Sequence, residues 1–147
     1  MGFRYNPGIL IAIFICFTLF DLPSGFSQQK KTFKPVPDPQ KLALAQAVVC
    51  ENIKDFAPQN EAIVFSMAIG KVNCFTFFEP VTEKTFIYHN WYFQDKLTAM
   101  VKLTLKPPNW KTYSTIQLRE VDKGPWRIEV TDPKGRVFKI LRFSIVD

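Results

Sequence analysis

Catalytic raw material is scarce in this chain of 147 residues, which holds one histidine, His89, and only two cysteines, Cys50 and Cys74, beyond its N-terminal apolar run. A lone histidine can act as a general base, but nucleophilic catalysis also needs a nucleophile beside the base and a group to orient it. Ser114 lies in no recognisable elbow, and Glu79, Glu83, Asp95, Glu120 and Asp122 show no motif pairing. No cysteine and histidine spacing of the zinc type, no Asp-rich loop for calcium and no glycine-rich phosphate loop is present. The expectation is a non-enzymatic protein with no metal and no cofactor.

Long apolar runs are also missing. The longest, Gly8 to Phe20, follows Arg4 and ends at a polar break from Asp21 to Ser24. It is well short of the roughly 20 residues that a membrane-crossing helix needs, and its order is that of a secretory signal peptide. Small residues at Gly25 and Ser27 predict cleavage before Gln28, and a periplasmic or extracellular location. Membrane contact is expected only through this segment, if it stays uncleaved. Next, Gln28 to Lys41 carries Pro35, Pro37 and Pro39 at alternate positions among four lysines. That composition favours extended, polyproline-like geometry, so residues 28–41 read as a tether and residues 42–147 as the folded domain.

The net charge of +6 favours acidic partners, but the lysines are scattered and form no basic stripe, so nucleic acid is not an expected partner.

From Leu42 onward, short apolar stretches recur about every ten residues with turn chemistry between them. In Leu97 to Leu105 the side chains of Leu97, Ala99, Val101, Leu103 and Leu105 alternate with Thr98, Met100, Lys102 and Thr104, the period of a half-buried strand. Before it, Lys84 to Phe93 is rich in aromatic and β-branched residues, and Gln94-Asp95-Lys96 is short enough to close a hairpin. Asp132-Pro133-Lys134-Gly135 places proline and glycine where a type I turn takes them. Its flanks supply Trp126, Ile128 and Val130 on one side and Val137, Leu141, Phe143 and Ile145 on the other. Further strands are expected at Ala62 to Met67, Val72 to Phe78 and Thr112 to Leu118. Leu42 to Cys50 suits a helix by its alanines and leucines, and a strand by Val48-Val49 and its context; the strand is preferred. The fold class predicted is all-β, an immunoglobulin-like antiparallel sandwich of seven or eight strands, with an open barrel as the competing architecture.

An even number of cysteines in an exported chain predicts a disulfide between Cys50 and Cys74, the other reading being two buried free thiols. The aromatic residues offer the best lead to a binding site. His89, Trp91, Tyr92, Trp110, Tyr113, Trp126 and Arg127 form the candidate ligand-binding set, because flat rings can stack on a sugar or a peptide side chain while His89 and Arg127 supply hydrogen bonds. The opposing reading of the rings is core packing, and Trp110, which follows Pro107-Pro108-Asn109, is the one placed best for recognition on a loop.

Several residues taken in order carry a resemblance: Cys50, Val72-Asn73-Cys74-Phe75-Thr76, His89-Asn90-Trp91-Tyr92, Trp110-Lys111-Thr112-Tyr113-Ser114, Gly124-Pro125-Trp126-Arg127-Ile128-Glu129-Val130, Asp132 with Gly135, and Phe143-Ser144-Ile145. From about Leu42 to its end the chain resembles a bacterial family known as domain of unknown function 2914. The stretch Ile53 to Pro58 departs from that pattern. The resemblance implies a small exported or membrane-tethered β domain and no particular activity. Together these readings predict a recognition or structural module of the cell envelope that meets a protein partner through sheet edges or loops. The alternatives are a pocket for a small ligand or glycan around Trp110 and His89, and an envelope enzyme using His89.

Overall fold

The computed structural model describes residues 42–147, which form nine strands and two short 3₁₀ turns. The stretches read from the sequence as a signal segment (1–27) and a tether (28–41) lie outside the described residues. In chain order the strands are β1 (Leu44–Lys54), β2 (Ala57–Glu61), β3 (Val64–Ser66), β4 (Lys71–Phe78), β5 (Thr85–Phe93), β6 (Lys96–Leu105), β7 (Trp110–Gln117), β8 (Gly124–Thr131) and β9 (Val137–Val146). One sheet has the order β2-β1-β4-β7 and the other β3-β9-β8-β5-β6. All neighbouring pairs are antiparallel except β3 and β9. The two layers form a sandwich and not a barrel, and Leu44 to Cys50 is strand.

The order β9-β8-β5-β6 facing β1-β4-β7 matches strands G-F-C-C′ facing A-B-E of an immunoglobulin-like domain. Two further features agree with that assignment. Trp91 on β5 is completely buried, as is the tryptophan that such domains carry on strand C. At the start of β8, Trp126 Nε1 donates to the carbonyl of Asp122 at 2.8 Å, the place where those domains use a tyrosine to tie the strand to the turn before it.

Turn chemistry explains the hairpins. Gln94 and Asp95 both take positive φ (47° and 63°), which makes the β5–β6 connection a tight two-residue turn whose twist suits the flanking strands. At the β8–β9 turn the Gly135 amide donates to the Asp132 carbonyl at 3.0 Å, and the Asp132 carboxylate accepts from the Lys134 and Arg136 amides. That is the type I turn expected from its residues. Strand β2 was not legible as one, because Ala57-Pro58-Gln59-Asn60-Glu61 has no apolar alternation. It forms because Asp55 and Phe56, at φ 51° and 54°, reverse the chain and bring it back along β1.

Leu97 also departs from expectation. A register shift at Trp91/Tyr92 pairs Tyr92 with Leu97, and the leucine is exposed while Ala99, Val101, Leu103 and Leu105 keep the inward phase.

Inside the sandwich, alternate residues build two apolar clusters. Val49, Phe65, Val72, Cys74, Trp91, Trp126, Ile128, Phe143 and Ile145 form one; Phe78, Val81, Ile87, Leu105 and Val130 form the other. Burying such side chains stabilises the fold by about 1.5–3 kcal/mol each.

The predicted Cys50–Cys74 disulfide is not formed, and both thiols are free and buried. Strand register supplies the reason. Cys74 pairs with Val49, and both point into the core, whereas Cys50 pairs with Asn73. Successive side chains on a strand point to opposite faces, so Cys50 and Cys74 leave the sheet in opposite directions, and a bridge needs Cβ vectors that converge. Burial pushes the Cys50 thiol up to about 11 and raises Cys74 further.

Candidate functional site

Between the two apolar clusters runs a line of buried polar groups. On β4, Thr76 lies between Cys74 and Phe78; on β5, His89 lies between Ile87 and Trp91; Ser114 faces them from β7. Ser114 Oγ is 2.8 Å from His89 Nδ1 and accepts from Trp91 Nε1 at 3.0 Å. His89 Nε2 is 3.2 Å from Thr76 Oγ1, whose hydroxyl reaches the Thr112 carbonyl at 3.5 Å. One proton arrangement satisfies the whole line. Trp91 donates to Ser114, Ser114 donates to Nδ1, and Nε2–H donates to Thr76, which donates to the Thr112 carbonyl. His89 is 0 % exposed, and burial lowers its pKa to about 3, so the ring is neutral.

This network is sealed. A substrate or ligand cannot reach His89 without opening the core, so the chemistry of the ring is spent on joining β4, β5 and β7.

The candidate set of the sequence divides by strand phase. Trp91, Trp126 and His89 lie in the core. Trp110 is half-buried against the Phe78 cluster, with Lys106 Nζ 5.4 Å from its ring centre. Tyr113 is exposed on the outer face of the four-stranded sheet, where it lines a cleft of about 290 Å³ with Ile53, Asp55 and Phe56. Only Tyr92 and Arg127 come together at the surface, on the outer face of the five-stranded sheet.

That outer face is where accessible recognition chemistry collects. Because Ile87, His89 and Trp91 point inward, Phe86, Tyr88, Asn90 and Tyr92 point outward along β5. Across the sheet, Asn90 pairs with Met100 on β6 and with Glu129 on β8, and Glu129 pairs with Ile140 on β9. Beside that row, Tyr92 pairs with Arg127 and Arg127 with Arg142, while Tyr88 pairs with Lys102 and Thr131. Met100 is 58 % and Ile140 43 % exposed, so both ends of the central row are open to a partner.

Contacts within the face hold the side chains in place. The Arg127 guanidinium carbon lies 4.2 Å above the centre of Tyr92, and Nη1 donates to Asp95 at 3.0 Å. Arg127 Nε is 3.4 Å from Glu129 Oε1, within ion-pairing distance but without hydrogen-bond geometry. Lys102 Nζ sits 3.9 Å from the centre of Phe86, which packs edge-on against Tyr88 at 5.6 Å. Stacked cations and rings of this kind lose little side-chain freedom when they bind, because most of it is already gone. Among them Asn90 is buried, with Nδ2 donating to Thr131 Oγ1 at 3.1 Å and Oδ1 without a hydrogen-bond partner. That oxygen is able to accept a hydrogen bond from water or from a partner.

Phe86, Tyr88 and Glu129 were not among the predicted site residues. For Phe86 and Tyr88 the signal was present in the alternation of Lys84 to Phe93: once Trp91 is assigned to the core with His89 and Ile87, the residues between them belong to the opposite face.

Among the described residues no group of three His, Cys, Asp or Glu side chains is placed to hold a metal ion, and no helix is long and apolar enough to cross a membrane. Comparison with known families finds a match over residues 84–145 to the family described as "protein of unknown function (DUF2914)", and the chain resembles that family over this stretch. The matched stretch starts at Lys84, so Cys50 and the Val72 to Thr76 motif fall before it. It contains every residue of the outer face described above. No curated protein matches the chain.

Proposed function

We propose that this protein is a non-enzymatic recognition module of the cell envelope, exported by its leading segment, which binds a protein partner through the outer face of the five-stranded sheet. The observation that carries this reading is the row Met100, Asn90, Glu129 and Ile140, flanked by Tyr88 and by Tyr92 under Arg127. A broad face with aromatic and arginine anchors suits a protein partner, since interface cores are enriched in Tyr, Met and Arg. The pocket reading around Trp110 and His89 has no such support, because His89 is sealed and Trp110 packs against a separate apolar cluster. The same sealing removes His89 as a base accessible to a substrate.

The test is site-specific photocrosslinking in the source cells. A crosslinker at Tyr88 or Met100 is expected to capture one envelope protein, and one at Val121, exposed elsewhere on the domain, to capture none. Tyr92→Ala with Arg127→Ala should abolish the capture while the melting transition is kept. Equal capture from Val121, or a chain recovered in the cytoplasmic fraction with Met1 still attached, would overturn the reading.

A further inference from the structure

Strand β9 is only partly covered. On one side it pairs with β8 over most of its length, but on the other β3 reaches only Ser144, Ile145 and Val146. The cause lies in the preceding chain. The Ala62 amide donates to the Val49 carbonyl in the opposite sheet, and Val64 is the first residue to run beside β9. Residues 137–142 of β9 therefore form a sheet edge with no strand hydrogen-bonded to that side among the described residues, and β1 of the other sheet borders it across a cleft.

The direction of its free groups follows from the alternation of hydrogen bonding along a strand. The Ser144 amide donates outward, to the Ile63 carbonyl at 2.9 Å, so Arg142 and Ile140 direct their amides and carbonyls to the same open side. This edge is bordered by two clefts, of about 290 and about 310 Å³, which meet at Ile63 and Arg142. Val48, Ile63 and Leu141 give the first an apolar lining, and Ile63 is 74 % exposed.

We infer that this open stretch of β9 is a binding site for an extended peptide that adds a strand to the sheet, with apolar residues at alternate positions entering the Val48–Ile63–Leu141 cleft and acidic residues between them. Main-chain pairing supplies the attachment in such complexes, and side-chain pockets at every second residue supply the selection. Charge decides the class of peptide. Arg142 lies on the open stretch, on the face opposite Leu141, and has no ion-pair partner among the described residues, while Glu61 lines the neighbouring cleft. Two copies meeting edge to edge would bring like charges together on that face, whereas a strand with acidic residues in the phase of Arg142 would pair with it. Charges on an edge strand guard it against its own kind, and here they select a partner of opposite sign.

The inference goes beyond the outer-face reading and does not depend on it. Its test uses the full chain, isotopically labelled, with two capped eight-residue probes, one alternating valine with glutamate and one alternating valine with lysine. The glutamate peptide is expected to bind and to slow hydrogen exchange of the Ile140 and Arg142 amides, with the lysine peptide binding at least roughly tenfold more weakly. Ile140→Pro removes one edge donor at a position open to solvent and should abolish binding. Arg142→Glu leaves the backbone intact and should reverse the preference between the probes, and Tyr92→Ala should change neither. Equal binding of the two peptides, binding without protection of the two amides, or protection that rises with protein concentration in the absence of peptide would overturn the assignment, the last by identifying a second copy as the occupant.

Discussion

His89 and Trp91, neighbours on one face of β5, both reach the hydroxyl of Ser114 on the opposite sheet, at 2.8 and 3.0 Å. A single serine thus fixes two ring side chains of the core and joins the sheets at the boundary between the two apolar clusters. A buried network of this kind is stable only while every member is paired.

Acid should therefore destabilise the domain. The folded-state pKa of His89 is lowered to about 3 by burial, against about 6.5 for an exposed histidine. Between these values the unfolded chain binds a proton that the folded chain refuses, so stability is complete above about pH 6.5 and falls as pH drops towards 3. The slope is about 1.4 kcal/mol per pH unit. Urea titrations across this range should show that slope, and in His89→Gln it should be lost. A wild-type stability that is flat from pH 6.5 to 4 would show that the ring is not held neutral.

The two cysteines should behave as independent thiols. Neither should react at neutral pH with an aromatic disulfide reagent in the native state, since both are buried and their pKa values are raised. Both should react once the chain is unfolded in denaturant, and a reductant should leave the melting temperature unchanged. Recovery of a peptide pair crosslinked through Cys50 and Cys74 from the native protein would contradict the register.

Phe56 holds a left-handed backbone, φ 54°, at the tip of the β1–β2 hairpin while remaining 60 % exposed. A side chain with a Cβ pays about 1 kcal/mol or more in that region, whereas glycine enters it freely. Phe56→Gly should raise stability by roughly 0.5–1 kcal/mol, after allowing for the greater freedom of glycine in the unfolded chain. Thermal melting measures this. A fall in stability would show that the contacts of Phe56 around its cleft with Ile53 and Tyr113 outweigh the backbone cost.

Much of the fold was legible in residues that speak locally. Alternation in Ala99 to Leu105 and Trp126 to Val130, and the proline and glycine of the Asp132 turn, announce strands and reversals because side-chain direction and turn geometry depend on a few neighbours. Strand β2 was not legible, since its polar residues are held by pairing with β1 and not by a face of their own. The candidate site was legible only in part. Tyr92 and Arg127 were identified, but Trp91, Trp126 and His89 carry the same residue types and lie on the opposite side of the sheet.

What the sequence by itself determined is the period: which residues share a face along each strand, where the chain turns, and so the all-β sandwich. Tertiary structure alone decided the rest, because register and coverage depend on strands far apart in the chain. A one-residue offset between β1 and β4 sends Cys50 and Cys74 to opposite faces. The packing of β4 and β7 over β5 seals His89, and the early departure of the chain before β3 leaves the last strand half uncovered. None of these is written in any one segment, since each is set by where a partner strand begins and ends.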